Sequence, residues 1–499
     1  MKSRKKRGSK FGLTVCVIQA IITLIFIAAL LILDLIPFKF TIIIITTLVL
    51  FWVIPLLNQL ICKKRVWAGR ILSICMSVIL LSGSVYVAKA HGLVNSITGG
   101  DKKVDEIVVA VLKDDPAEKL KDTIDYGFGV QYALKAHETE EAVEMISEEL
   151  KKEINDVTYS TITEQVEALY SREVEAIIFN SAFVSVIEES HPNFQEETKI
   201  VYTHKIISNI DSELEVTVDV SEPFTVYLSG IDVAGSIETT GRSDVNILVI
   251  VNPTSHQLLL VTTPRDYYIP IPDISHGEPD KLTHAGVYGI EASMRTLSEL
   301  YDVDVDYYAK VNFTSLPKII DALGGVDVYS EYEFTTHPYS SLEFETMDIK
   351  KGYNHFNGTE ALVFARERKN VPGGDFQRGK DQQAIITAML KKAVSPAILS
   401  GAFDIIESVK DNVDTDMPAK FIKSLIKTQL SSMSAWQITS MAAEGEPAAA
   451  ECFSAPGLEL SVCKPDYASI DAIKEAIDKV EAGIPLDDVE IIQNKTDTE

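Results

Sequence analysis

The chain opens with three long apolar runs, and an alternation of strand-like and helix-like patterns follows them. The runs cover about 11–33, 40–61 and 68–89. Each has about 20 residues, the length that a helix needs to cross the hydrocarbon core of a bilayer. Basic residues precede the first run and recur in "KKRVWAGR" at 63–70. This pattern predicts a membrane anchor of three helices, with a cytoplasmic amino terminus and the rest of the chain outside.

Strand-like and helix-like patterns then alternate over residues 104–210. Apolar stretches such as 106–113 and 174–180 are typical of buried strands, and 138–153 carries apolar residues at helical spacing. The alternation predicts a small α/β accessory domain with a mainly parallel sheet. This part of the sequence contains no recognisable catalytic constellation.

A second α/β domain is predicted after a polar segment. It opens with an apolar strand at 224, continues with the strands "VNILVIV" and "QLLLVTT" about the turn "NPTS", and then alternates helix and strand around a central mixed sheet. The predicted organisation is an anchor over 1–92, an accessory domain over 104–210, the second domain over 224–400, a segment packed on it over 401–484, and a polar tail over 485–499.

Charge separates the anchor from the rest of the chain. The whole sequence has a formal net charge of -26, but the residues after 92 contain 34 basic and 71 acidic side chains, a net charge of -37. So acidic a surface argues against a nucleic-acid partner and is typical of a soluble exported domain. The sequence leaves open whether Cys452 and Cys463 form a disulfide bond.

Charged residues gather where the strands of the predicted hairpin enter and leave. Antiparallel pairing would bring Arg242 and Asp244 beside Arg265 and Asp266, and Asp232 follows the strand before them. Carboxylates of this kind suit Mg²⁺, which takes one or two from a protein and keeps water and phosphate oxygens as its other ligands. The arginine fork suits phosphate. Ordinary ion pairs at a sheet edge are the alternative interpretation of the same residues.

A second group of cations lies in "FARERKNVPGGDFQRGKDQQ", residues 364–383. Asp375 is predicted to cap a helix from about Phe376 to Val394, and Arg378 and Gln382 would share one face of its first turns. An arginine at a helix amino terminus favours phosphate. With Arg366 and Arg368 the group would suit a polyphosphate, although a solvated charged turn has the same composition.

Several other chemistries find no support in the sequence. It contains no GxSxG nucleophile motif and no GxxxxGK[ST] phosphate loop, and no outer Cys and His stand at a recognisable catalytic spacing. Catalysis through a protein nucleophile or by a P-loop is therefore not predicted.

Five segments together resemble the LytR-CpsA-Psr family of Gram-positive cell-envelope enzymes. They are "SGIDVAG…GRSDVNILV", "LVTTPRDYYIPI", "DKLTHAG", "KIIDALGGVDV" and "FNGTEALVFARERK…GGDFQRGKDQQ", in the order that the family has them and spanning about 224–392. The three membrane spans and the domain before residue 210 resemble the CpsA-type branch of the family.

The resemblance implies a membrane-anchored, Mg²⁺-dependent phosphotransferase, with Mn²⁺ as a substitute metal. Such enzymes attach a glycopolymer, of the capsular polysaccharide or wall teichoic acid type, from an undecaprenyl-pyrophosphate carrier to peptidoglycan. The resemblance assigns the metal to Asp232 and Asp244 and the acceptor hydroxyl to Asp375. The residues that it assigns to the pyrophosphate are Arg242, Arg265, Arg366, Arg368, Arg378 and Gln382.

Two departures from the family pattern bear on donor affinity or polymer choice. Ile269 stands where a second arginine often follows the "PRD" arginine, and Lys380 and Asp381 stand where many members have Arg-Gln. Two alternatives to the transferase stay open: a non-catalytic scaffold or sensor that binds lipid pyrophosphates beside other wall-assembly proteins, and a hydrolase that uses water as the acceptor.

Overall fold

The chain divides by its internal contacts into two compact units. The computed structural model describes residues 10–61, 66–97, 102–132, 136–209, 220–231, 237, 239–312, 316–339, 344–393, 413–432 and 434–486. The first unit consists of Met1–Thr98, Val216–Val220 and Pro418–Ser434, and the second contains the remainder. The basic residues at 1–9 and 63–65, and the tail beyond 486, lie outside the described residues.

The first unit is built from the three apolar runs, which are confirmed as helices. They are α1 (Lys10–Leu33), α2 (Phe38–Ile61) and α3 (Val66–Ile97). All three are long and apolar enough to cross a membrane. Large apolar side chains such as Phe11, Ile32 and Ile61 are more than 60% exposed on them, which suits a lipid environment. A fourth helix, Ala419–Ser432, also belongs to this unit.

The second unit begins with a five-stranded sheet. Its strands are β1 (Lys102–Leu112), β2 (Gly127–Val130), β3 (Asn155–Thr158), β4 (Ala176–Asn180) and β5 (Thr198–Asn209). Its helices are α4 (Ala136–Leu150), α5 (Ile162–Tyr170), α6 (Val184–Ser190) and α7 (Phe194–Glu197), with single 3₁₀ turns at Leu120–Thr123 and Ser181–Phe183.

The expectation of a mainly parallel sheet is wrong for the strand that enters it. The strand order is β3-β2-β4-β1-β5; β2 pairs parallel with β3 and β4, whereas β1 pairs antiparallel with β4 and β5. Parallel neighbours need a crossover connection, usually a helix. A helix follows β2 and another follows β3, but β1 is joined to β2 by a single 3₁₀ turn, so β1 is not part of a β-α-β unit.

A six-stranded mixed sheet forms the larger part of the second unit. Its order is β16-β11-β6-β7-β8-β17, with two parallel pairs at β6–β11 and β8–β17. These strands are β6 (Phe224–Ile231), β7 (Val245–Asn252), β8 (Gln257–Thr263), β11 (Tyr307–Asn312), β16 (Val413–Thr415) and β17 (Gln437–Ala442). The α/β fold with a central mixed sheet is therefore confirmed.

Helices and small ribbons surround this sheet. The helices are α8 (Leu282–Tyr288), α9 (Ile290–Tyr301), α10 (Leu316–Ala322), α11 (Gly358–Arg366), α12 (Gly374–Ala393), α13 (Ala419–Ser432, in the first unit) and α14 (Tyr467–Glu481). The ribbons pair β9 (Tyr268–Pro270) with β10 (Pro279–Lys281), β12 (Val326–Ser330) with β15 (Gly352–Phe356), β13 (Phe334–Thr335) with β14 (Asp348–Ile349), and β18 (Gly445–Cys452) with β19 (Ala455–Pro465).

Two clusters of buried apolar residues hold together the helices and strands that carry the charged side chains. One packs α9 and α14 on the six-stranded sheet, through residues such as Leu248, Leu297 and Ile473. The other joins the accessory segment to α8, because Phe183 and Val186 pack with Val287 in one buried cluster. The accessory helix α6 is thereby held against the segment that carries Lys281 and His284.

Candidate functional site

The hairpin register brings two predicted site residues together at the rim of the six-stranded sheet. Asn246 pairs with Thr263 in the antiparallel ladder of β7 and β8, so the residues two positions beyond this pair meet at the open end of the hairpin. Nη1 of Arg265 lies 2.5 Å from Oδ1 of Asp244. Both side chains are largely buried, at 17% and 14% exposure. This pair is the centre of the rim cluster, which we define as Arg242, Asp244, Arg265 and Lys281.

Lys281 joins the rim cluster from strand β10, and its principal partner comes from the accessory domain. Its Nζ lies 3.2 Å from both carboxylate oxygens of Glu189 on α6 and 3.8 Å from Oδ1 of Asp266. Arg242 lies against the same helix, 3.4 Å from the carbonyl oxygen of Ser185 and 3.7 Å from Oε1 of Glu189. One carboxylate of the accessory domain thus faces two cations of the second domain.

His284 extends this contact into a buried hydrogen-bonded chain. Its Nε2 lies 3.3 Å from Oε1 of Glu189, and its Nδ1 lies 2.7 Å from Asp280 and 2.8 Å from Ser454. Burial alone would lower the pKa of His284, but the bonds to Asp280 and Glu189 raise it above the ordinary value. Burial alone would raise the pKa of Glu189, but His284 and Lys281 lower it to about 2. The geometry therefore favours an imidazolium between two carboxylates.

The predicted basic segment forms a separate group whose backbone is organised by one buried glutamate. We call residues 366–370 the arginine loop. Glu367 Oε1 accepts hydrogen bonds from the backbone N–H groups of Arg368, Lys369 and Asn370 at 2.9, 2.8 and 3.1 Å, and its Oε2 accepts from His337. Burial alone would raise the pKa of Glu367, but these backbone donors lower it.

Three predicted arginines belong to the arginine loop and to the helix that follows it. Arg366 is the last residue of α11, Arg368 is exposed in the loop, and Arg378 lies in the first half of α12. Burial and Glu367 raise the pKa of the Tyr339 hydroxyl, while all three arginines act in the opposite direction. All three arginines therefore act electrostatically on the same hydroxyl group.

Helix α12 connects the arginine loop to the rim cluster. Nε2 of Gln382 donates to the carbonyl oxygen of Ala365 at 3.3 Å, and Nε2 of Gln383 donates to that of Thr263 at 3.2 Å. The first contact fixes α12 to the end of α11, and the second fixes it two residues before Arg265. In this structure Gln382, which was predicted to contact the substrate, is a buried link between two helices.

Asp381, one of the two departures from the family pattern, is buried in the same helix. It is 2% exposed, and Gln377 donates to its Oδ1 at 3.0 Å. Its Oδ2 has no hydrogen-bond partner among the described residues. Burial raises the pKa of Asp381 to about 7. A glutamine would avoid this buried charge, so the departure has a measurable electrostatic consequence.

Asp232 and the side chain of Asp375, two predicted parts of the site, lie outside the described residues. Asp232 follows β6 directly, and α12 begins at Gly374, so Asp375 is in its first turn rather than at its cap. Within the described ranges no group of three or more His, Cys, Asp or Glu side chains is arranged to hold a metal. Asp244, Asp266 and Glu189 offer carboxylates beside the cations of the rim cluster, and Mg²⁺ needs as few as one protein carboxylate.

The structure gives both outer cysteines as free thiols. Cys452 and Cys463 are buried and unbonded. In the ladder of β18 and β19 the partner of Cys463 is Pro447, five positions from Cys452, a separation of about 17 Å along a strand. Disulfide geometry needs Cα atoms within about 7 Å.

Sequence reasoning missed Lys281, Glu189 and Glu367, although each contributes to one of the two cation groups. Lys281 stood in the segment "DKLTHAG", in which no residue was assigned a role, and Glu189 stood in a domain without a recognisable catalytic constellation. The sequence did contain a signal for Glu367, because it is the one acidic residue within the basic run "ARERKN". Glu189 and Lys281 meet in space but are distant in sequence, and no local sequence pattern indicates such a contact.

Comparison with known proteins agrees with the segments identified above. The model of the LytR_cpsA_psr family matches residues 185–464, from α6 to the end of β19. The teichoic acid transferase TagU of Bacillus cereus (strain AH820), named polyisoprenyl-teichoic acid–peptidoglycan teichoic acid transferase, is 34% identical over 208 residues, which are 42% of this chain and 65% of that protein. TagU of Bacillus mycoides (strain KBAB4) is 35% identical over 198 residues, 40% of this chain and 61% of that protein.

The match to these relatives is partial, since it spans 65% and 61% of their length, less than two thirds of either. Among solved structures, TagV of B. subtilis is 23% identical and covers 53% of this chain and 99% of its own, with a TM-score of 0.43. The family match covers more than half of the present sequence and contains the rim cluster, the arginine loop and α12. The chain belongs to the LytR-CpsA-Psr family.

Proposed function

We propose that this protein is a membrane-anchored phosphotransferase that moves a glycopolymer from an undecaprenyl-pyrophosphate carrier to peptidoglycan. Family membership supports this proposal, as does the name of the TagU relatives, which describes transfer of teichoic acid from a polyisoprenyl carrier to peptidoglycan. A capsular polysaccharide is the alternative polymer. The observation that carries the proposal is the connection of the rim cluster to the arginine loop by α12.

Phosphoryl transfer suits these residues better than other group transfers do. Its transition state spreads negative charge over phosphate oxygens, and catalysis consists mainly of positioning and charge neutralisation. Arg242, Arg265 and Lys281 would neutralise one phosphate of the carrier, and Arg366 and Arg368 the other. Arg378 would complete the second group from the first turns of α12, where the helix dipole favours an anion.

A divalent cation would be held at the rim of the sheet. Asp244 and Asp232 are the proposed ligands of Mg²⁺, with Mn²⁺ as a substitute. When bound, the ion would supply positive charge to the pyrophosphate oxygens. Asp244 would then divide its two oxygens between Arg265 and the metal, so the ion pair would also orient the ligand.

The acceptor hydroxyl is proposed to meet the site beside the first turn of α12. Asp375 would orient that hydroxyl and accept its proton as the new P–O bond forms. The bond that breaks is the P–O–P bridge, and undecaprenyl phosphate leaves. Gln382 would act indirectly, by holding α12 against the end of α11.

The anchor is proposed to place the second unit on the outer side of the cell membrane. The basic residues at the amino terminus and at 63–70 favour the cytoplasmic side. The short link between α1 and α2, which begins with Asp34, would then face outward with the bulk of the chain. A lipid-linked donor in the outer leaflet would be within reach of such a protein.

The test uses the full chain in lipid nanodiscs with Mg²⁺, a lipid-pyrophosphate oligosaccharide and peptidoglycan fragments. Mass spectrometry of the reaction should detect the linked product, and Asp244→Ala and Arg366→Ala should each lower its rate of formation on the order of 10²-fold or more. Arg295→Ala is the matched control, because Arg295 is an exposed arginine that pairs with Asp273 and is a member of neither cation group. Tight donor binding with no product for any acceptor would favour the scaffold, and free sugar phosphate without acceptor would favour the hydrolase.

A further inference from the structure

Helix α13 differs in charge from the domain whose sequence surrounds it. The segment 418–434 contains three lysines and no acidic residue, whereas the chain beyond the anchor has a net charge of -37. Lys420, Lys423 and Lys427 are spaced by three and four positions, so they share one face of the helix. Phe421 is buried on the opposite side. A basic amphipathic helix of this kind is typical of a membrane surface.

The contacts of α13 place it beside the link between two membrane-spanning helices. Nζ of Lys427 lies 2.6 Å from Oδ1 of Asp34, the residue directly after α1. Nζ of Lys39, in the first turn of α2, donates to the carbonyl oxygen of Ser431 at 2.6 Å. Residues 427 and 431 are about 6 Å apart along a helix, so two contacts hold this end of α13. A link between two spans lies where the hydrocarbon core ends, so α13 lies at the depth of the lipid headgroups.

The lysine face of α13 is accessible at both of its ends. Lys420 is exposed, and the side chain of Lys427 remains 36% exposed despite its ion pair. Lysine side chains reach from an interfacial helix to phosphate groups while their methylene stems cover apolar surface. The lysine face therefore complements an anionic lipid surface.

We propose that α13 is a membrane-surface element whose lysine face binds the phosphate groups of anionic phospholipids, in the leaflet on the side of the α1–α2 link. This inference rests on membrane anchoring and does not depend on the transfer chemistry. In the sequence, α13 lies between β16 and β17, the two edge strands of the six-stranded sheet, with three and four residues between it and those strands.

Hydrogen–deuterium exchange of the full chain tests the proposal. The protein is placed in nanodiscs of phosphatidylcholine alone or of phosphatidylcholine with phosphatidylglycerol. We expect the amides of 419–432 to exchange more slowly with phosphatidylglycerol, on the order of five-fold for each contributing lysine. About 0.5 M salt should remove most of this protection, because it screens surface charges. Equal exchange in both lipids, or protection indifferent to salt, would overturn the proposal.

Matched variants separate lipid binding from structural roles of the same residues. The triple variant Lys420→Gln, Lys423→Gln and Lys427→Gln should lose the response to phosphatidylglycerol. The control Lys474→Gln and Lys479→Gln, on the amphipathic helix α14, should keep it. Asp34→Asn should keep it as well, because the lysines remain. A response that disappears with Asp34 alone would assign the effect to the ion pair, and protection by soluble glycerol phosphate would assign it to a free phosphate; either result rejects the lipid site.

Discussion

The rim cluster and the arginine loop contain the same kinds of residue but use their carboxylates differently. At the rim, carboxylates contact cationic side chains directly, Asp244 with Arg265 and Glu189 with Lys281. In the loop, both carboxylate oxygens of Glu367 accept hydrogen bonds from backbone N–H groups. The first arrangement neutralises the cations that it positions, whereas the second fixes the path of the backbone and leaves the charge of the arginines for another anion.

This difference predicts a division of labour between folding and function. Buried ion pairs are costly to break, because the remaining charge has no partner. The rim residues should therefore affect both stability and turnover. Arginines displayed on a loop contribute little to folding, so their loss should affect turnover alone.

The largest expected effect comes from comparing Arg265→Ala with Arg366→Ala. Both changes should lower the transfer rate on the order of 10²–10³-fold, because each removes a donor to the phosphate. Arg265→Ala should also lower the free energy of unfolding by about 3 kcal/mol, since it leaves the largely buried Asp244 unpaired. Initial rates and thermal unfolding in nanodiscs measure the two quantities.

The control for this comparison is Arg295→Ala. This change should leave the transfer rate as it is and should alter the free energy of unfolding by no more than about 0.5 kcal/mol. If Arg366→Ala destabilises the protein as much as Arg265→Ala does, the distinction between the rim cluster and the arginine loop is wrong.

Glu189→Gln should reduce stability by about 3 kcal/mol near pH 6, because it removes a charge that Lys281 and His284 share. The pKa of Glu189 is lowered to about 2, so its contribution is complete above the unfolded pKa and is lost as the pH falls toward 2. The pKa of His284 is raised, so its contribution is complete below the unfolded pKa of about 6.5 and is lost as the pH rises through the folded value.

Thermal unfolding of the original protein and of Glu189→Gln from pH 3 to 9 should show the largest difference in stability near pH 6. A difference that does not change with pH would contradict this assignment.

Glu367→Gln should cost about 2 kcal/mol, since an amide cannot replace a carboxylate that accepts from four backbone donors. The pKa of Glu367 is lowered, so its stabilising contribution is present above the unfolded pKa and disappears as the pH falls through the folded value. Turnover should fall with stability, because the loop would no longer hold Arg368. A variant that unfolds earlier but transfers normally would show that the loop arginines do not need this backbone path.

The smallest expected change is a gain in stability from Asp381→Asn. Burial raises the pKa of Asp381 from its ordinary value of 3.8 to about 7, so the folded state holds the proton more tightly and stability falls as the pH rises between these values. At pH 8 the variant should be more stable by about 2 kcal/mol, and below pH 4 the two proteins should be alike. Denaturant unfolding at the two pH values measures this, and no gain at pH 8 would mean that the carboxylate has a partner in solution.

The periodic and local features of this fold could be predicted from the sequence, whereas contacts between distant segments could not. Three apolar runs predicted α1, α2 and α3, and the turn after β7 predicted the meeting of Asp244 with Arg265. The direction of β1 could not be predicted, because a strand without a following helix has no defined crossover. The pairing of Glu189 with Lys281 joins residues 92 positions apart, and neither segment alone indicates it.

The most direct test of the central claim follows the phosphorus of the donor. A lipid-pyrophosphate oligosaccharide labelled at the sugar-linked phosphorus is incubated with the full chain, Mg²⁺ and peptidoglycan fragments. The proposed phosphotransfer predicts one labelled phosphodiester on the acceptor for each undecaprenyl phosphate released. Labelled sugar phosphate in solution, or an unlabelled linkage to the acceptor, would contradict it.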